Sequence, residues 1–84
     1  MSADELKQAI AGVHAALEQN RTRSSELHDE LFAATKLVLE DEHGVEEDEV
    51  LRINTRRSEL ELERTFLMER GRALMAELHA QIRA

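Results

Sequence analysis

Glu40-Asp41-Glu42-His43 has the E-x-x-H spacing with which helices of carboxylate metal bundles aim two ligands inward. Such a centre needs further carboxylates in a bundle core. Here the motif is followed at once by Gly44 and by four acids, Glu46 to Glu49. That context reads as a solvated turn and a charged first helical turn, because carboxylates suit the positive N-terminal end of a helix and its unpaired amides. The acidic run also lacks the Asp-x-Asp-x-Asp-Gly spacing that wraps calcium. His14 and His28 lie two heptads apart, too far to share a metal, and are expected half-buried beside an apolar seam. No metal or cofactor is expected.

Nucleophilic chemistry is equally hard to assemble. The chain has no cysteine. Ser2, Ser24, Ser25 and Ser58 sit in no recognisable Ser/His/Asp motif. Gly12, Gly44 and Gly71 are too far apart to form a phosphate-cradling loop. No catalytic residue is assigned, and the chain is read as a non-enzyme. In size and acidity it resembles the all-α nucleotide pyrophosphohydrolases, whose magnesium site joins E-x-x-E to E-x-x-D on the next helix. Glu46-x-x-Glu49 matches the first half; no aspartate follows Asp48, so the site is not carried over. In length and turn position the chain is also similar to secreted WXG-type helical hairpins. Its turn tripeptide is Glu42-His43-Gly44, without tryptophan, and nothing is transferred from them either.

The elements around these residues are easier to read. Eighty-four residues without proline make a single domain, 1–84, that admits unbroken helices. Ser2 and Glu5 have capping-box spacing, so the first helix should start at Ala3. Leu6, Ile10, Val13, Leu17, Leu27, Leu31, Ala34 and Val38 follow in steps of three and four, with Asn20 and Ser24 as a polar interruption in the same phase. The second half repeats this: Val50, Ile53, Leu60, Leu67, Gly71, Leu74, Leu78 and Gln81, with Arg57 and Arg64 in phase. This is a heptad seam on each half. The expected fold is all-α: a long antiparallel, coiled-coil-like hairpin with a helix at 3–43, a turn at 44–45 and a helix at 46–83. Breaks near 21–25 or 55–58 are the alternatives. Folding at Gly44 sets Leu27 against Leu60, Val13 against Leu74, Leu17 against Gly71 and Ser24 against Arg64.

One seam per helix leaves apolar residues over. Met68, Met75 and Ile82 form a second stripe; Phe32 and Leu39 lie seven apart, Leu62 and Phe66 four apart. These seven are the candidate protein interface. A chain this short, with no disulfide, is expected to gain stability by association, here as a homodimer closing a four-helix bundle. The resulting expectation is a protein–protein interaction module of adaptor, chaperone-like, regulatory or structural type, binding itself and a further protein. The alternative is a nucleic-acid-linked regulator using Arg52, Arg56, Arg57, Arg64, Arg70 and Arg72. Net charge is −7, and the second half carries only a slight excess of arginine over glutamate, too little to make nucleic acid the first choice. No stretch approaches the ~20 apolar residues of a membrane span. The cysteine count agrees with a cytoplasmic protein.

Overall fold

The computed structural model describes residues 1–40 and 47–83, the side chains of Val38 and Glu47 excepted. Two helices account for nearly all of them: α1, Ala3–Glu40, and α2, Glu47–Arg83. There is no strand among the described residues. The expected turn at 44–45, and the helix ends placed at 43 and 46, lie outside the described residues.

The start of α1 is the expected capping box. The Glu5 amide donates to Ser2 Oγ at 3.1 Å, and the Ser2 amide donates to Glu5 Oε1 at 3.3 Å. The Ser2 backbone N–H, then the Ser2 side chain and the terminal amine, hold the Glu5 carboxyl below its ordinary range. A lowered carboxyl favours the anion, so this half of the cap is present at neutral pH. It is lost as pH falls through the lowered value.

Both helices run through the stretches where breaks were the alternative. Thr22, Thr35 and Thr65 show how polar residues are absorbed. Each hydroxyl donates to the carbonyl four residues earlier, at 3.1, 2.8 and 3.0 Å, rather than competing for the helix's own amides. Ser58 to Glu61 has capping-box spacing, but it lies inside α2 and caps nothing.

The core is one line of contact between the helices. Leu6, Val13, Asn20, Leu27 and Ala34 are buried at seven-residue steps on α1. Ile53, Leu60 and Leu74 are their counterparts on α2, with Leu67 half-buried in the same phase. Ile10, Leu17, Ser24 and Leu31 half-bury between the α1 positions; Val50, Gly71 and Leu78 do so on α2. Two helices side by side make a rod whose Cα extents are 65 × 15 × 15 Å.

Four contacts fix the antiparallel register. Gln81 Nε2 donates to the Met1 carbonyl at 2.6 Å, and a Cβ built on Gly71 would meet Val13 Cγ1 at 3.3 Å. Asn20 Nδ2 donates to the Leu60 carbonyl at 2.8 Å, and Arg52 pairs with Glu30 at 3.8 Å. The expected partner of Gly71 was Leu17. The residue found there is Val13, one helical turn earlier. A heptad seam matches apolar to apolar at several registers, so the unusual positions choose among them. Gly71 leaves a notch that fits branched Val13, and buried Asn20 needs an acceptor, which the Leu60 carbonyl supplies.

This register makes a prediction. Alanine exceeds glycine in helix propensity by about 1 kcal/mol. A Cβ on Gly12 would meet nothing within 4 Å, so Gly12→Ala should raise stability by roughly that amount. Gly71→Ala should gain less, or lose, because Val13 must yield. Equal gains in urea titrations of the two variants would mean that Gly71 does not face Val13.

Candidate interaction surface

The seam divides the rod into two sides. One is marked by a groove lined by Leu17, Glu18, Asn20, Arg21, Ser24, Arg64 and Met68. It continues into a second, lined by Asn20, Ser24, His28, Arg57, Leu60, Glu61 and Arg64. The opposite side is marked by Arg23, Glu26, Leu27, Glu30, Arg52 and Arg56. Seven-residue steps keep a side chain on one side of such a seam. Met75 and Ile82 therefore lie with Met68, and Phe32 and Leu39 lie with Glu18, on the outer shoulder of α1.

All seven candidate interface residues are exposed: Phe32 68%, Leu39 82%, Leu62 73%, Phe66 64%, Met68 38%, Met75 57% and Ile82 70%. Five of them belong to the methionine side. Leu62 and Phe66 do not; their heptad positions turn them toward the back of α2 and the opposite side. A single flat contact cannot cover all seven.

The grooves exist because Arg57 and Arg64 occupy seam phase without filling it. Both are exposed, since an arginine stem can lie along apolar surface while its head stays in water. Opposite them the seam is polar, with Asn20 buried at 2% exposure and Ser24 half-buried. Ser24 and Arg64 line the same groove. His14 and His28 were expected half-buried and are exposed. They stand one residue beyond a seam position, where the side chain leans outward.

Charge separates with the apolar residues. The methionine side carries Lys7, Arg21, Arg57, Arg64 and Arg72 beside Asp4, Glu18 and Glu61. The opposite side carries Arg23, Arg52, Arg56 and Arg70 among twice as many glutamates. The six arginines of the nucleic-acid alternative are consequently split between sides. Arg52 pairs with Glu30, and Arg56 with Glu59 at 2.9 Å. The three ion pairs, including Lys36 with Glu40, are exposed, and each contributes about 0–1 kcal/mol.

Among the described residues no three of His, Asp and Glu come together at metal-binding separation; His43 lies outside them. No buried side-chain nitrogen or oxygen among the described residues lacks a hydrogen bond. No described helix is long and apolar enough to cross a membrane. Comparison with protein-family models, curated proteins and solved structures gives no match.

Proposed function

We propose that the hairpin is a non-enzymatic interaction module that works as a homodimer, two hairpins closing a four-helix bundle, and that engages a further protein in the cytoplasm. The observation that carries this reading is exposed area. The chain presents 6755 Å², whereas a compact monomer of its 9.6 kDa mass presents about 5,100 Å². The excess is about twice the ~800 Å² that one partner contributes to a standard interface. It includes large apolar side chains, each of which gains about 1.5–3 kcal/mol when covered. Against a domain stability of about 5–15 kcal/mol, covering a few of them matters to folding itself.

Sedimentation equilibrium over a wide concentration range tests the dimer. A monomer at micromolar concentration that melts cooperatively would overturn it. Replacing Met68 and Met75 together by glutamate should shift the protein to monomer while its helix content at high concentration is retained. A pull-down from the native host would identify the further partner. The nucleic-acid alternative predicts salt-sensitive retention of labelled DNA.

A further inference from the structure

We propose that the second copy docks on the methionine side and runs head to tail with the first, about a two-fold axis crossing the hairpin level with Asn20. This rests on the dimer reading above and specifies its geometry. Two copies related by a two-fold axis present the same patch to each other, so the patch must complement itself. A row of like charges at the axis would fail that test. The methionine side passes it.

Near its middle, α1 carries Glu18 and Arg21, and α2 carries Glu61 and Arg64. Both are an acid followed three residues later by an arginine. Glu18, Arg21 and Arg64 line one groove, Glu61 and Arg64 the adjoining one. The Asn20–Leu60 hydrogen bond holds the two pairs level. An axis perpendicular to the helices, passing between the members of each pair, brings Glu18 of one copy to Arg21 of the other. It brings Glu61 to Arg64 in the same way. Four acid–arginine contacts result, with no like pair stacked at the axis.

The rest of the rod agrees with this direction. Glu40 ends α1, and Asp48 and Glu49 lie in the first turn of α2. Copies lying tip to tip would bring these acids together, and like charges across an interface are costly. Head-to-tail packing sends them to opposite ends. It also brings Met75 level with Val50 and Leu51 of the second copy, where exposed Leu51 would give it apolar cover.

Spin-label distances test the direction. The chain has no cysteine, so Gln19→Cys or Ala80→Cys, both at exposed positions, takes one label per copy. Head to tail, labels at 19 should lie within about 20–30 Å, roughly two helix diameters, and labels at 80 about 50 Å apart at 1.5 Å per residue. Short distances at both sites mean copies lying tip to tip; they overturn the head-to-tail geometry and leave the dimer standing. Absence of any dipolar signal at high concentration means no dimer, and both proposals fall. Charge reversal tests the axis. Glu61→Arg should weaken association about ten-fold or more, and adding Arg64→Glu should restore it, because the swapped pair again complements itself. A double variant as weak as the single would place the axis elsewhere.

Discussion

Leu60→Ala is expected to lower the free energy of unfolding by about 2–5 kcal/mol, the range for a buried leucine cut to alanine. Leu60 is 1% exposed and lies in the stretch of seam where α2 has the fewest apolar neighbours. The seam positions on either side of it, Arg57 and Arg64, are exposed. Losing its side chain would open a cavity beside the Asn20 bond and admit water to it. For a domain stable by about 5–15 kcal/mol, that is a large share. Leu62→Ala is the control. Leu62 is 73% exposed, and substitution away from the core usually stays within about 0.5 kcal/mol. Urea titrations of the two variants below the dimerisation concentration check this. Similar losses at 60 and 62 would mean that the seam is out of phase.

The contrast between Leu60 and Leu62 marks what was legible in the sequence. Burial in a two-helix rod depends on helical phase, and phase is written in the spacing of Leu6, Val13, Leu27, Ile53, Leu60 and Leu74. The cap at Ser2 and Glu5 is local, so it too could be read directly. Register was not legible, because apolar seam positions recur every three or four residues and so match again one turn along. The assumed centre at Gly44 placed Gly71 one turn from its true neighbour. The two sides of the seam were hidden for a related reason. An apolar residue off the seam is visible in sequence, but whether it joins Met68 or faces away, as Leu62 and Phe66 do, depends on how the helices are laid together. The acid-x-x-arginine step at 18–21 and 61–64 was the available signal. Its meaning needed the register, which sets the two steps level.

Asn20→Asp is the substitution that asks most of that register. Asn20 is 2% exposed, and its amide donates to the Leu60 carbonyl at 2.8 Å. An ionised aspartate there has no proton to donate. It would set negative charge against a carbonyl oxygen at a nearly buried position, with the arginines of the adjoining grooves, Arg21, Arg57 and Arg64, as partial compensation; a buried group that loses its hydrogen bond costs about 1–3 kcal/mol. The loss should depend on pH in a definite direction. Burial and the facing carbonyl push the carboxyl's folded-state value above its unfolded value of about 3.9; the groove arginines, whose exposed heads are screened by water, offset this only in part. Below the unfolded value both states are protonated, and the acid hydroxyl can donate to Leu60 as the amide does. The penalty therefore appears as pH rises above about 4 and is complete once pH exceeds the raised folded value. Melts of the variant and the parent, compared at each pH so that the other carboxylates cancel, should differ most near neutrality and converge near pH 3. Asn20→Leu separates charge from shape. It removes the polar group without leaving a charge, so the melt should hold or rise while the register loses its specifying contact. An Asn20→Asp variant whose deficit stays constant with pH would show that position 20 is wet, and that the seam's middle layer does not hold the helices in register.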